Sequence, residues 1–246
     1  MPLRVLSYNI LFGGEDRLPQ IGNVIRMHRP DVVALLEANS RSNAGRLAQE
    51  LGMQLVFGEA NSEFHVAWLS CLPVLWTENH RLPVLAKTLL EIEVLWEDTP
   101  IHLFATHLIA GRDKKSGQHR VEEMRTILNI LQSPHGWPHL LVGDMNAIHP
   151  ADQVGVPAFM DETAPEIGYI SREVISLLLQ AGYVDCYRQL HPTEPGYSYK
   201  VPNLWLRLDY IFASPQLAPR LHACDLASGP EAMIASDHLP IWAEFR

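Results

Sequence analysis

The sequence predicts a mixed α/β sandwich in which helices lie outside β-sheets. Apolar runs of strand length outnumber segments with helical periodicity, and the helical segments are dispersed among those runs. No repeat or low-complexity tract divides the chain, so a single domain over residues 1–246 is expected. The composition agrees, with 47% of residues hydrophobic and 19% charged, an ordinary globular balance.

The first strand runs through Leu3, Val5 and Leu6 to Tyr8 and Asn9, before Gly13-Gly14 breaks it. From about Gln20 to His28, Ile21, Val24 and Ile25 recur at helical spacing, and Pro30 ends that helix. DVVALLEAN is a continuous apolar run that ends at Glu37, and RSNAGRLAQELG is a helix closed by Gly52. MQLVFG, FHVAWLSCLPVLW, KTLLEIEVLW and IHLFATHLIA read as strands. In GQHRVEEMRTILNILQ, Val121, Met124, Ile127, Leu128 and Leu131 line one helical face. HLLVGDMN is the next strand, and SREVISLLLQAG is a helix with Ser171 as N-cap and Gly182 beyond its end. RLDYIFAS and HLPIWAEF are the last strands. The segment from His149 to Ile170, rich in Pro, Asp and Glu, lies beside GDMN and reads as a loop over a site.

The net charge is −9 and the pI ≈ 5.7, so bulk charge does not draw nucleic acid to this chain and any polyanion site must be local. Cys71, Cys186 and Cys224 are far apart, odd in number and form no C-x-x-C pair, which predicts free thiols in a reducing compartment. The opening MPLRVLSYNI has no long apolar segment, and no apolar run reaches the ~18 residues of a membrane helix. A cytoplasmic, monomeric protein without membrane insertion is expected. There is no H-E-x-x-H motif, and linear spacing predicts no zinc site built on histidines.

One feature recurs along the chain: a polar residue at or beside the end of an apolar run. LSYN ends in Asn9, VVALLE in Glu37, LFATH in His107, and LLVGDMN in Asp144 and Asn146. RLDYIF carries Asp209, and ASDHLPIW places Asp237 and His238 just ahead of the last strand. Unpaired buried carboxylates are costly, and neighbouring ones repel. They are tolerable together if they share a cation. Oxygen ligands suit Mg²⁺, which keeps waters for a phosphate substrate, and histidines add donors for an anion. The set suits metal-assisted hydrolysis of a phosphate ester.

In order, SYN, LLE, THL, GDMN, RLDYIF and SDHLPI resemble the signature blocks of the endonuclease/exonuclease/phosphatase superfamily. Its members include deoxyribonuclease I, exonuclease III-type repair nucleases, neutral sphingomyelinases, inositol polyphosphate 5-phosphatases and deadenylases. The blocks span Ser7 to Ile241. The resemblance implies a four-layer α-β-β-α sandwich, two central mixed sheets flanked by helices, with the site at one edge of the sheets. It implies Mg²⁺ or Mn²⁺ as cofactor. Asp144 would be the general base with Asn146 its partner, Glu37 the main metal ligand with Asn9 beside it, and Asp237 a further ligand or an orienter of histidine. His107 and His238 would donate to phosphate oxygens, and Asp209 would orient a histidine or protonate the leaving group.

THL points away from the Tyr-bearing abasic-site endonucleases, within the terms of that resemblance. Asn39 stands where deoxyribonuclease I has an Arg, and Glu91 and Glu93 are candidates to orient His107. GRDKKSGQHR gathers Arg112, Lys114, Lys115, His119 and Arg120 into either a solvated helix start or a positive rim that contacts substrate; Arg112, Lys115, Arg120 and Asn39 are the candidate substrate-binding residues. In GYSYKVPNLW, Tyr197, Tyr199 and Trp205 either stack bases or pack under a loop, with packing favoured. A nuclease acting on DNA or RNA is favoured. The alternatives are a phosphoesterase of a small or lipid phosphoester and a non-catalytic binding module of the same fold.

Overall fold

In the computed structural model, which describes residues 1–132, 136–155 and 170–246, two six-stranded sheets pack face to face. The strands are β1 (Leu3–Asn9), β2 (Val32–Leu36), β3 (Gln54–Gly58), β4 (Val66–Ser70), β5 (Val74–His80) and β6 (Leu89–Trp96). They continue as β7 (Thr99–His107), β8 (His139–Asp144), β9 (Val184–Asp185), β10 (Asp209–Ala213), β11 (Leu221–Leu226) and β12 (Ile241–Phe245). The helices are α1 (Leu18–His28), α2 (Arg41–Leu51), α3 (Lys114–Leu131), α4 (Glu173–Gln180), α5 (Cys186–Leu190) and α6 (Ala232–Ala235). The first sheet has the order β11-β12-β1-β2-β4-β3 and the second β5-β6-β7-β8-β10-β9. Both are mixed: β1–β2 and β7–β8 are parallel pairs, and the other pairings are antiparallel.

Alternate side chains divide each strand between two interfaces. Leu3, Val5, Val32 and Ala34 meet Leu103, Ala105, Leu140 and Val142 between the sheets. Leu6, Tyr8, Val33 and Leu35 face outward under Ile21, Val24 and Ile25 of α1 and Leu47 of α2. On the other side Phe104, Leu141, Tyr210 and Phe212 are covered by Met124 and Ile127 of α3 and by Val174 and Leu178 of α4. The result is the expected four layers. Burial on both faces explains why these strands read as unbroken apolar runs rather than as alternating ones.

The helix ends follow local chemistry. Ser40 caps α2 by accepting from the Asn43 amide, and Gly52 closes it in the left-handed conformation at φ 67°. Asp113 caps α3 through the Ser116 amide. Three expectations change. FHVAWLSCLPVLW holds two strands, β4 and β5, placed in different sheets, because Pro73 falls between them. The N-cap of α4 is Arg172, with no side-chain cap, while the carbonyl of Ser171 is taken by the amide of Ile148. β11 was not anticipated: it is half exposed, and a bulge between Leu221 and Ala223 interrupts its register. Of the expected loop at 149–170, residues 156–169 lie outside the described residues.

The two parallel pairs carry the consequence for function. Their shared direction brings the C-terminal ends of β1, β2, β7 and β8 to one edge, where β10 begins.

Candidate active site

Register places three of the expected residues in one row. His107 pairs with Asp144 across β7–β8, and Asp144 pairs with Asp209 across β8–β10. Gly143 makes this possible at the residue before Asp144: a Cβ there would sit 1.8 Å from the Thr106 carbonyl oxygen, so only glycine allows β8 to lie this close to β7. Asn9, the last residue in the β1–β2 register, donates through Nδ2 to Glu37 Oε1 (3.2 Å) and to Asp144 Oδ2 (3.3 Å). Glu37 and Asn146 both hold left-handed backbone, at φ 54° and 46°. Such conformations are rare for a residue like Glu and concentrate at functional sites. The Glu37 carboxylate also accepts from the Phe12 amide (3.1 Å), and the Asn146 amide donates to Asp144 Oδ1 (2.9 Å).

Asp144 is the centre of the cluster, 1% exposed. Its Oδ2 lies 3.4 Å from His107 Nε2 and 3.8 Å from His238 Nε2. Asp209 is fully buried and receives His238 Nδ1 at 2.7 Å and the Ser198 hydroxyl at 2.6 Å, both on Oδ2. Burial lifts the Asp144 carboxyl to about 7, against the opposing pull of His238. Burial opposes the charge on His238, but Asp209, Asp144 and Asp237 outweigh it and raise His238 to about 10. Burial, Lys87 and His238 together push His107 well below the usual histidine range. At neutral pH His238 is therefore a cation and His107 a neutral imidazole.

Around this floor lies a cleft of ≈ 310 Å³ that Glu37, Asn146, Asp237, Arg112, Arg120 and Tyr199 help to line. Lys87 lines it too, and nothing in the sequence singled it out. It is 5% exposed, donates to the Leu108 carbonyl (2.8 Å) and lies 5.6 Å from the Phe64 ring. Burial lowers its ammonium to about 8, while Asp144, Glu123 and Glu37 hold it up. A lysine just ahead of an apolar run carries no local signal that it will be buried.

The structure gathers Asn9, Glu37, His107, Asp144, Asn146, Asp237 and His238 at this edge, with Asp209 directly behind His238. The rim expectation divides. Arg112 lines the cleft and lies 4.7 Å over the Trp205 ring, and Trp205 itself is packed away at 3% exposure. Tyr199 lies against the His238 ring at 4.8 Å. Arg120 is fully buried, clamping the Ile109 and Gly111 carbonyls through Nη1, because its place on α3 faces inward. Lys115 is exposed and lies outside the cleft-lining set. The Asn39 side-chain amide donates to the Glu63 and Glu37 carbonyls, so it braces the turn after β2 rather than lining the cleft. Neither Glu91 nor Glu93 orients His107. They register with Phe104 and His102, away from the tip of β7, and Glu91 is taken by His80 and His102.

The segment after Asn146 is tied down by buried ion pairs. Asp152 binds Arg207 Nε at 2.7 Å and Arg188 Nη2 at 2.6 Å, and Arg207 Nη1 lies 2.7 Å from Asp185. Arg207 is two residues before Asp209, so the pairing fixes the loop after β8 to the start of β10.

Several known proteins are similar to this chain. Over 116 residues it is 34% identical to the DNA repair nuclease APEX1 of Danio rerio, a match covering 42% of this chain and 35% of that protein. Over 124 residues it is 34% identical to Exodeoxyribonuclease III of Haemophilus influenzae, covering 44% and 46%. The matches thus span less than half the length of these relatives. The first of them is by name a DNA repair nuclease, whereas the THL block was expected to point away from abasic-site endonucleases. Among solved structures, an AP endonuclease from Archaeoglobus fulgidus superposes with a TM-score of 0.79 at 21% identity, over 99% of each chain. An endonuclease/exonuclease/phosphatase from Beutenbergia cavernae superposes at 0.77 with 23% identity, over 100% of this chain and 71% of the other. These likenesses establish the shared fold. The sequence profile of one family matches residues 6–238, nearly the whole chain, and the protein belongs to the Endonuclease/Exonuclease/phosphatase family.

Proposed function

We propose that this protein is a divalent-metal-dependent phosphodiesterase acting on nucleic acid, with the attacking water activated at Asp144. The observation that carries the reading is a single buried carboxylate at the floor of a cleft, ringed by His107, His238, Asn9 and the cations Lys87, Arg112 and Arg120. An acceptor in the middle of donors is what a water and an anionic phosphate require side by side.

The residues present fit a hard divalent cation. Glu37 and Asp237 offer oxygen ligands, and the Oδ1 atoms of Asp237 and Asp209 are buried without a hydrogen-bond partner among the described residues. Asn9, expected as a ligand, instead turns its Nδ2 to Glu37 and Asp144 and its Oδ1 to the Leu11 amide, the place of a residue that orients Glu37. Asp144, Asp209 and His238 also bring donor atoms within 4.8 Å of one another, but His238 and Asp209 are already bonded to each other. Glu37 and Asp237 are the groups that would hold Mg²⁺ or Mn²⁺, with Asn9 orienting Glu37, and the ion when bound would supply a Lewis acid for a phosphoryl oxygen.

Asp144 takes the proton of the water, and its position near neutrality suits that task. His238, held cationic by Asp209, donates to a phosphate oxygen. His107, neutral, donates through Nε2, and Lys87 adds positive charge where the phosphate gains negative charge. Asp209 has the position of a residue that orients His238, since it is fully buried behind the ring. Nucleic acid is favoured over a small ester by the aromatic wall of the cleft. Phe64 lines the cleft beside His107 and Tyr199 lines it beside His238, and Phe12, 51% exposed, lies 5.9 Å from Phe64, so bases have rings to stack on.

A substrate panel tests this. Single- and double-stranded DNA, RNA, bis-para-nitrophenyl phosphate and para-nitrophenyl phosphate are incubated with Mg²⁺ or Mn²⁺, with and without chelator. Metal-dependent cleavage of a nucleic acid, lost in Glu37→Gln, is the expected result. Full activity in excess chelator, or turnover of the monoester alone, overturns the reading.

A further inference from the structure

On the outer face of the second sheet lies a polar cluster that the cleft does not use. Glu78 and His80 project from β5, Glu91 and Glu93 from β6, and His102 from β7, with Glu78 opposite Glu91 and Glu93 opposite His102. His102 precedes His107 by five residues on the same strand, so the cluster is about 16 Å from the cleft at ~3.3 Å per residue. A cavity of ≈ 600 Å³ opens over it, walled by Trp76, Phe104, Ile130 and Leu131.

Glu91 is only 7% exposed, yet it sits between two imidazoles. Its Oε2 faces His80 Nε2 at 2.9 Å and its Oε1 faces His102 Nδ1 at 2.7 Å. The other ring nitrogen of His80 is 3.4 Å from Glu78 Oε1. One donor atom each of Glu78, His80 and Glu91 lies within 4.8 Å of the other two. The remaining nitrogen of His102, Nε2, lies 3.5 Å from Glu93 Oε2, and the Trp137 ring stacks on the imidazole at 4.8 Å, so His102 is held in place beside Glu91.

We propose that Glu78, His80 and Glu91 form a second metal site, selective for a transition-metal ion of the zinc class, with His102 positioning the Glu91 carboxylate. An imidazole with two carboxylates is a donor set that favours Zn²⁺ and its neighbours over Mg²⁺, unlike the oxygen ligands of the cleft. Glu91 faces Nε2 of His80 and Glu78 faces Nδ1, so a cation bound at one of these nitrogens takes the place of that hydrogen bond and draws in the other carboxylate, which the exposed Glu78 side chain can supply by turning. His102 binds the Glu91 oxygen that does not face His80, the place from which a partner orients a ligating carboxylate. Three protein ligands leave a coordination position open toward the cavity. The site joins edge strand β5 to β6. It is assembled across strands by register, so no H-E-x-x-H spacing announces it.

The test uses the full chain stripped of metal, then dialysed against Zn²⁺ and assayed for bound metal and for Tm. Wild type and Glu37→Gln, a change in the cleft alone, should both retain one zinc at this site and gain Tm with Zn²⁺. Glu78→Ala and His80→Ala should each lose that equivalent and its Tm gain, and His102→Phe should weaken binding ~10–100-fold. Glu78 is an exposed side chain, so its variant folds and decides the matter even if His80→Ala does not. Equal zinc content in wild type and Glu78→Ala, or loss of all zinc in Glu37→Gln, overturns the proposal.

Discussion

Asp144 stands directly opposite Asp209 across the antiparallel pair β8–β10. Two like charges so placed repel, the more so when both are buried, at 1% and 0% exposure. His238 resolves the conflict by lying between them, 2.7 Å from Asp209 Oδ2 and 3.8 Å from Asp144 Oδ2. One imidazolium serves two carboxylates. Asp209 holds it firmly, and burial, helped by the neighbouring Asp209 charge and opposed by His238, raises Asp144 to about 7.

From that division follows the first prediction. Asp144→Asn should leave the fold and substrate binding nearly intact, because the amide is close in shape and Oδ1 still accepts from the Asn146 amide. It should cut kcat by ~10²–10⁴-fold, the contribution of a positioned base. Steady-state kinetics with far-UV circular dichroism check it, and retention of more than about a tenth of wild-type kcat counts against Asp144 as the base.

The pH dependence has a definite sign. Asp144 is raised from 3.8 to about 7, so its protonated form stabilises the metal-free fold fully below pH 3.8, and that stabilisation is lost as pH rises through about 7. His238 is raised from 6.5 to about 10, so its contribution is present below pH 6.5 and lost as pH rises through about 10. Tm of the metal-free protein should fall through the first window in wild type and fall less in Asp144→Asn. For activity, the base must be ionised, so the rate should rise with pH on an acid limb. That limb should vanish in Asp144→Asn. In His238→Ala it should survive and move to higher pH, because the charge that opposed protonation of Asp144 is gone.

Lys87 supplies a third prediction. Its ammonium is lowered to about 8, so the charge it brings to the cleft is lost as pH rises through that value. Lys87→Met should remove a basic limb of the pH–rate profile and lower kcat by ~10²–10³-fold, as loss of a preorganised donor does. Stability at neutral pH should hold or increase, since a buried ammonium no longer has to be desolvated. An unchanged kcat, or loss of folding by circular dichroism, contradicts this role.

Much of the cleft could be read from the sequence because strand tips are local features. Asn9, Glu37, His107 and Asp144 each end an apolar run, and two parallel pairs suffice to bring such ends together. What could not be read depends on what packs against what. Lys87 is held by the Leu108 carbonyl and feels the charge of Glu123 on α3, both distant in sequence. Arg120 belongs to a basic stretch and reaches the cleft from a buried position, held by the Ile109 and Gly111 carbonyls, an inward facing that charge clustering alone does not reveal. β11 is half exposed and bulged, which blurs its periodicity. The cluster around Glu91 exists only through the register of three strands.

The last prediction separates contact from proximity at the rim. Arg112 and Lys115 are three residues apart, but only Arg112 lines the cleft, supported by the face of Trp205. If nucleic acid is the substrate, Arg112→Ala should raise KM for long DNA or RNA more than for bis-para-nitrophenyl phosphate. Removing one phosphate contact should also reduce the slope of log binding against log salt by about 1. Lys115→Ala should change neither, because its charge is solvated outside the cleft. Arg120→Ala is not an equivalent probe: it abandons two carbonyls in a buried position and should lower Tm instead. Kinetics on both substrates across a salt series distinguish the cases. Equal loss on the polymer and the small diester in Arg112→Ala would place Arg112 at the reacting phosphate rather than on the flanking backbone, and an effect of Lys115→Ala equal to that of Arg112→Ala would mean that the rim acts through bulk charge.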